Sequence, residues 1–480
     1  MQNNELTRRG FIQKAGGGLV ALGALGSVVP WEQLRAADLP TPGPADWPRF
    51  GYDLHNTRFN ANEKTIGPQN VGQLKLKWKF DTPDNWPIHT TPTIIGDTLY
   101  FAGGGFYYSL DTATGAQKWK MEAGLPSGWV GYENSMIRSS ANYLNGKIYF
   151  GTGFCDVYCV DVSSGRQVWK TSLEPNKHLR AQMFYSPVVY NGKVLVGWSS
   201  GQAGIACLDA ETGAVRWRFR IAQDVPPEFM TGGGSLWSSG AVDEKMNVVF
   251  NATGSAKGAF AHQMRHTESV IANDIDTGEL LWSFQAHQQD TFDLDFCAHP
   301  MIFDAVSPPR MRDDLRQAVA AGNKGGMYCL NRHNGQLYWK VMLGAATSGS
   351  GPRIDATAVA YNKVYVQNCS PGNPPLYVTA ALNAYNGDIE WITPNPAPQT
   401  APICVANRVL YQGYDVGPKI EALDAMTGRR LWEYPLPSPF RGGPAVANGA
   451  LYFSNGVTLD WKGDQTPQKY SLYCFTIDGK

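Results

Sequence analysis

Two aspartates placed two residues apart, Asp293 and Asp295 in the run Gln288-Gln289-Asp290-Thr291-Phe292-Asp293-Leu294-Asp295, are the first candidates for chemistry. In an extended segment, side chains at i and i+2 point the same way, so the two carboxylates suit a shared cation. Acidic residues that only shape a surface turn would look the same. Lys324 lies in the glycine-rich run Gly322-Asn323-Lys324-Gly325-Gly326-Met327-Tyr328. A lysine held there suits negative charge that develops during a reaction, although a solvated loop lysine has the same surroundings. Trp237 ends the run Thr231-Gly232-Gly233-Gly234-Ser235-Leu236-Trp237, and Arg138 lies in Met136-Ile137-Arg138-Ser139-Ser140. For these two the plain alternatives are a packing tryptophan and a salt bridge. His262, His266, His287 and His299 fall close together in the sequence, yet their spacing matches no zinc pattern. No phosphate-binding glycine loop and no Ser or Cys nucleophile stands out.

The elements that position these residues are legible as a repeat. Asp-x-x-Thr-Gly-x-x-x-Trp, or a close variant of it, recurs as Asp111 to Trp119, Asp161 to Trp169, Asp209 to Trp217, Asp274 to Trp282, Asn331 to Trp339, Asn383 to Trp391 and Asp424 to Trp432. Its first and last positions are always eight apart (119 − 111 = 8, 432 − 424 = 8). The Asp or Asn ends a hydrophobic strand and starts an Asx turn. The Gly supplies a backbone angle closed to other residues, and the Trp returns as a large apolar plug between sheets. Asn145-Gly146, Asn191-Gly192 and Asn448-Gly449 mark a second, tighter hairpin. Each repeat is therefore one antiparallel sheet of about four strands.

Trp78 supplies an eighth docking tryptophan without an upstream half-repeat, whereas Tyr473-Cys474-Phe475-Thr476-Ile477-Asp478-Gly479-Lys480 is a half-repeat without a tryptophan. Pairing residues 471–480 with residues 74–81 would close an all-β, eight-bladed propeller and leave no open sheet edge. The propeller is expected to span residues 46–480. The docking tryptophans are most widely spaced from Trp217 to Trp282 and from Trp282 to Trp339, so this sector carries the elaborated loops, where binding and chemistry concentrate.

Composition agrees. Charged residues make up 17% of the 480 residues and balance to zero, which excludes a nucleic-acid partner that would need a basic surface. Aromatics at 12% exclude a disordered chain. Cys159, Cys207, Cys329 and Cys474 sit in strand-like runs and read as small core residues. Cys155 and Cys159, read on one strand, would be about 13 Å apart, too far to bridge. No Cys-x-x-Cys-His occurs, which argues against covalent haem.

At the N-terminus, Arg8-Arg9 precedes a weakly apolar, glycine-loaded run from Ala15 to Pro30. Residues 1–37 resemble a twin-arginine (Tat) export signal, so a periplasmic or secreted protein is expected. No later stretch approaches 18 uninterrupted apolar residues, and no transmembrane span is expected in the mature chain.

The repeat, together with the opening Asp46-Trp47-Pro48-Arg49-Phe50-Gly51-Tyr52-Asp53 and Leu74-Lys75-Leu76-Lys77-Trp78-Lys79-Phe80, resembles the quinoprotein alcohol dehydrogenases, from about Asp46 to the C-terminus. The resemblance implies pyrroloquinoline quinone (PQQ) as cofactor, with calcium or a lanthanide as the usual metal. It implies oxidation of an alcohol or sugar hydroxyl, on a small or polymeric substrate, with a separate electron acceptor such as cytochrome c. It makes Trp237 the floor under the quinone, within the segment that includes Ser235. It sets Lys324 at the quinone oxygens, Arg138 at the cofactor carboxylates and Asp293 as general base. Asp293 and Asp295 become metal ligands, Asp295 matching the extra carboxylate of lanthanide-type members. Gln289 and Phe292 stand where the family has His and Trp. Ala203, in Ser200-Gly201-Gln202-Ala203, stands at the place of a Glu ligand, and Ser255, in Thr253-Gly254-Ser255, at that of an Asn ligand. Both departures put the metal in doubt. A non-catalytic propeller for protein interaction or envelope assembly is the competing expectation, and convergence of Arg138, Trp237, Asp293 and Lys324 on one cavity would discriminate between the two.

Overall fold

A computed structural model describes residues 41–83, 85–123, 136–174, 182–199, 202–225, 233–256, 261–288, 293–309, 314–343, 353–370, 376–399, 401–456 and 469–480. The export-signal stretch, Ser200, Gly201, Thr231, Gly232, Gln289 and Phe292 lie outside these residues. Eight sheets are built in sequence order around one ring. Blade 1 comprises Thr93–Ile95, Thr98–Gly103, Phe106–Asp111 and Gln117–Glu122, running from the innermost strand to the outermost. Blades 2 to 7 repeat this order. Blade 8 takes three strands from the C-terminal side, Phe440–Ala447, Ala450–Asn455 and Ser471–Ile477, and its outermost strand, Leu74–Asp81, from the N-terminal side. The register runs from Leu74 opposite Ile477 to Asp81 opposite Ser471, so the ring closes where the two unpaired half-repeats require. Among the described residues no helix is long and apolar enough to cross a membrane.

The repeat works as a joint between blades. Asp209 Oδ1 accepts the amides of Glu211 (3.0 Å) and Thr212 (2.9 Å) and the Thr212 hydroxyl (2.9 Å), which fixes the turn. Gly213 follows at φ +72°, and a Cβ there would lie 2.6 Å from the ring of Trp169 in the preceding blade. Glycine is thus demanded twice, by its backbone angle and by its neighbour. The Trp169 indole in turn donates to the Ala210 carbonyl at 3.0 Å. The same indole-to-carbonyl bond joins Trp78 to Thr112, Trp119 to Val162, Trp217 to Ile275, Trp282 to Arg332, Trp339 to Ala384 and Trp391 to Ala425. At the last junction Trp432 meets Phe475 edge-on at 5.4 Å instead.

The eight cysteines are free thiols, and all but Cys297 are buried. Cys155 does not share a strand with Cys159. It occupies the turn before Asp156–Asp161 at φ +57°, its amide donating to the Thr152 carbonyl, because the chain reverses there between the second and third strands of blade 2.

A segment with no periodicity, residues 47–60, crosses the innermost strands of the ring. Trp47 exchanges both backbone bonds with Ile94 of blade 1. The carbonyls of Pro48, Leu54, His55, Thr57 and Arg58 then accept from Tyr143, Val242, Ile302, Val359 and Val405 of blades 2, 4, 5, 6 and 7. Phe59–Asn60 adds a short parallel strand to blade 7, and the Asn60 amide donates to Val446 of blade 8 at 2.8 Å. Arg58 is fully buried, its guanidinium bonded to the carbonyls of Phe50, Ile403 and Pro444. In blades 2, 4 and 5 the chain passes Arg138, Trp237 and Asp295 first and reaches its bond to this segment five to seven residues later (143 − 138, 242 − 237, 302 − 295). The segment therefore floors the channel, and those three residues stand on its other side.

Candidate active site

Residues 233–235 and 254–256 lie side by side. The Gly234 amide donates to Ser255 O (2.9 Å), the Gly254 amide donates to Ser235 O (2.7 Å), and Gly233 bridges Ala256. This pairing brings the connection before blade 4 against the loop inside it. Ser235 is buried and takes part through its carbonyl. Gly254 is the point of closest approach. A Cβ there would sit 2.4 Å from Asp295 Oδ1 and 2.8 Å from Trp237 Nε1, so only glycine lets the carboxylate and the indole come together.

Trp237 is half-buried, and its buried Nε1 has no partner among the described residues. The ring of Phe184 lies 5.0 Å from it, tilted by 49°, and the Arg138 guanidinium sits 4.9 Å over that phenyl ring. Phe184 therefore links Arg138 to Trp237, a part that nothing in its sequence setting announces.

Lys324 joins the two aspartates. Its amide donates to the Asp295 carbonyl at 3.0 Å, which sets the loop. Its Nζ donates to Asp293 Oδ2 (2.6 Å) and Asp295 Oδ2 (2.9 Å). Asp295 Oδ1 accepts from the Ser255 amide (2.5 Å) and the Ser255 hydroxyl (3.0 Å). Side-chain exposure separates the pair, 7% for Asp295 against 40% for Asp293. Asp293 is held at φ +63°, an unfavourable angle for a residue with a Cβ. The loop of Lys324 is braced from behind: Asn323 accepts the Gly326 amide at 2.9 Å and packs against His287 Nε2 at 3.1 Å, which also meets the Tyr328 hydroxyl at 3.2 Å.

The electrostatics follow. Burial pushes the Asp293 carboxyl above the ordinary carboxylate range, partly offset by the Lys324 hydrogen bond. Burial also acts to raise Asp295, but the Lys324 charge and the hydrogen bonds from Lys324 and Ser255 outweigh it and hold this carboxyl below that range. Burial acts against the Lys324 charge, and the two carboxylates more than restore it, so the ammonium is held more firmly than in water. Burial, then the positive charges of Arg138 and Arg441, keep His89 neutral far below its ordinary range. Arg441, itself paired with Asp415 at 3.3 Å, thus adds a second guanidinium near Arg138.

The histidines do not gather into a zinc site. His262 bonds Gln263, His266 packs near Phe219, His287 braces Asn323, and His299 lies edge-on to Phe50. No group of three or more His, Cys, Asp or Glu side chains suited to a metal occurs among the described residues. Ala203 is fully buried and offers only its carbonyl, which is engaged by the Ile221 amide. Sequence reasoning missed Phe184, His89, Arg441 and the His287–Asn323 brace, which carry no motif. It also read Ser255 as a failed ligand, whereas the structure makes it a donor to Asp295.

The eight-bladed ring is the architecture of a quinoprotein-type propeller. The chain matches the family described as glucose/ethanol/alcohol dehydrogenase, beta-propeller domain, over residues 47–353, and it belongs to that family. Residues 266–456 also match the family described as outer membrane protein assembly factor BamB. A polyvinylalcohol dehydrogenase of a Pseudomonas species is 26% identical over 92% of this chain and 78% of its own length. A quinohemoprotein alcohol dehydrogenase of Comamonas testosteroni is 26% identical over 93% of this chain and 78% of its own length. The solved structure of a quinohemoprotein alcohol dehydrogenase of Pseudomonas putida superposes with a TM-score of 0.78 at 18% identity, covering 92% of this chain and 83% of that one.

Proposed function

We propose that this chain is a PQQ-dependent dehydrogenase that oxidises the hydroxyl of a small or polymeric alcohol. The observation that supports the reading is a chain of contacts: Arg138 lies over Phe184, Phe184 packs against Trp237, Gly254 lets Trp237 approach Asp295, and Lys324 bonds both Asp295 and Asp293, although the residues come from separate connections. A flat quinone bearing three carboxylates fits them. The half-buried Trp237 ring is the platform, Arg138 faces the carboxylates, and Lys324 meets the quinone oxygens. Bound there, PQQ supplies the two-electron acceptor for the hydrogen on the alcohol carbon.

The chain's own residues do the rest. Asp293 Oδ2 is held closely by Lys324 at 2.6 Å, whereas among the described residues Oδ1 meets only the Ser255 hydroxyl at 3.4 Å, so Oδ1 is the atom that takes the hydroxyl proton. Burial makes that oxygen a stronger base than a solvated carboxylate. Lys324 keeps its charge throughout and faces the negative charge that develops. Asp295, locked by Ser255 and Lys324, sets where the ammonium stands. The residues do not fit the calcium or lanthanide ion usual in such enzymes, because a hard cation takes about six or more oxygen ligands and both carboxylates here are engaged by Lys324. No step is routed through a metal.

A single propeller over residues 46–480, export directed by Arg8-Arg9 in the segment 1–37, and transfer of electrons to a separate acceptor such as cytochrome c complete the reading. The BamB match favours a second reading, a scaffold for envelope assembly. Reconstitution with PQQ separates the two. The dehydrogenase reading expects binding and alcohol-dependent reduction of an artificial acceptor. In Asp293→Asn, PQQ affinity should persist while turnover falls about 10²- to 10⁴-fold, the usual contribution of a positioned base. Undiminished turnover in that variant would remove Asp293 as the base, and no PQQ binding would return the chain to the scaffold reading.

A further inference from the structure

Three features of the molecule invite a reading beyond the proposed reaction. A hollow of about 360 Å³ between blades 4 and 5, lined by His55, Asp243, Glu244, Phe303, Asp304 and Arg332, lies beside the segment 47–60. Its charges already pair internally, Arg332 with Asp243 at 3.1 Å and with Asp304 at 3.0 Å. The exposed apolar side chains of the outermost strands, Val168, Leu281 and Ile389 among them, have nothing in the structure to name what covers them. The third feature is the Asp293–Lys324–Asp295 triad, whose donor set is unusual for a cation site.

We propose that the Lys324 ammonium takes the place of the divalent or trivalent cation, so that this site binds its quinone without a metal ion and rejects one. The proposal rests on the quinone reading above.

The donor set leads to it. Two carboxylates that face the same way are what a hard cation seeks, and here a cation already sits between them. Lys324 Nζ lies 2.6 Å from Asp293 and 2.9 Å from Asp295, the distances of charge-assisted hydrogen bonds. The second oxygen of Asp295 is saturated by the amide and hydroxyl of Ser255. A metal ion needs lone pairs, but the Ser255 groups reach Asp295 as donors and so consume the lone pairs a metal would need. Ala203, at the place where the family resemblance expects a Glu ligand, has no carboxylate to offer. An added ion would have to evict the Lys324 ammonium from between the two carboxylates, on a loop whose backbone is tied to the Asp295 carbonyl. It would then lie beside an ammonium of like charge with its oxygen shell incomplete. An ammonium and a metal ion differ in one respect that matters. The ammonium brings three directed donors, so it can hold both aspartates and still point a proton at an oxygen of the quinone.

The test uses the full chain and reads binding, not turnover. Metal content after desalting and terbium luminescence sensitised by tryptophan are measured on quinone-free protein. PQQ affinity is measured by quenching of tryptophan fluorescence in EDTA and in excess calcium. Expected are no stoichiometric terbium and a PQQ Kd equal within about twofold in the two buffers, a difference too small to reflect a bound ligand ion. Lys324→Met, which vacates the space between the carboxylates, should acquire terbium binding and a PQQ affinity that calcium improves about tenfold or more. Lys324→Arg, which keeps the charge, should not. Wild-type protein that binds stoichiometric terbium and loses it in Asp295→Asn would overturn the proposal. So would PQQ binding that collapses in EDTA and returns with calcium. If Lys324→Met does not fold, the wild-type measurements decide alone. Failure of PQQ to bind under every condition would sink the quinone reading, while the terbium measurement would still decide which cation the aspartates hold.

Discussion

Two cations lie buried near the propeller axis, Arg58 on the floored side and Lys324 on the open side, and different oxygens hold them. Arg58 is surrounded by backbone carbonyls from Phe50, Ile403 and Pro444. Burial lowers its pKa to about 10, with almost nothing nearby to offset the loss of water. Lys324 is also buried, though less completely than Arg58, and it meets two carboxylates that reinforce its charge. Carbonyl oxygens do not titrate and cannot take a proton, so Arg58 can only hold chain segments together. Carboxylates can do both, so Lys324 sits in a group able to do chemistry. The nature of the partners, more than the depth of burial, separates a structural cation from a functional one.

Substitutions on the floored side test the contrast. Arg58→Met leaves three buried carbonyls without donors and should lower stability by about 3 kcal/mol or more, measured by denaturant melting. The PQQ affinity of the folded fraction should not change. A stable Arg58→Met protein, or one that folds but loses PQQ, would erase the distinction between the two sides. Next in size is the joint between blades. Gly278→Ala places a methyl 2.6 Å from the Trp217 ring at φ +76°, and should cost about 2 kcal/mol from backbone strain and overpacking together. Gly192→Ala, at φ +70° with open space around it, should cost about half as much, from backbone strain alone. Equal losses would mean that tryptophan docking contributes little.

The smallest effect concerns pH. His55, in the floor segment, is held above its ordinary pKa chiefly by its hydrogen bond to Glu244 at 3.0 Å. A raised folded-state value means that its contribution is complete below about pH 6.5, the unfolded value. That contribution is lost as pH rises through the raised folded value. Because both side chains are about 40% exposed, the effect should stay under about 1 kcal/mol. His55→Ala should flatten the decline in melting temperature above pH 6.5, and an unchanged pH profile would remove His55 from the account.

The ring was legible in the sequence because each blade restates the same physical problem. Asp209 must fix a turn, Gly213 must clear Trp169, and Trp169 must find a carbonyl, so the same residue types return at the same spacing. Closure was legible because Trp78 and the last half-repeat each lack what the other supplies. The floor was not, since residues 47–60 meet a different blade at almost every step and repeat no contact. At the site, Asp293, Asp295 and Lys324 stood out by type and setting, but their mutual arrangement did not. Whether Ser255 offers lone pairs to a metal or hydrogens to Asp295 depends on where the Gly254 backbone lies, and that is set by pairing with residues 233–235. Phe184 was invisible for a simpler reason: any aromatic in a connection looks alike until its neighbours are known.

The ring's final strand pair has a consequence in time. The Ser471 hydroxyl donates to Asp81 across 390 positions of sequence, and the floor segment, near the start of the chain, bonds Val446 of the last blade. During synthesis the earlier blades can form as they emerge, but blade 8 must wait for residue 477, and the floor cannot seat fully before it. Contacts this distant in sequence make folding slow and leave sheet edges uncovered in the interim. Once the ring is closed, no blade can peel from an end without breaking a strand pair that joins the two ends of the chain. The same pairing that delays maturation should therefore make the finished protein slow to open, with a lifetime governed by its unfolding rate.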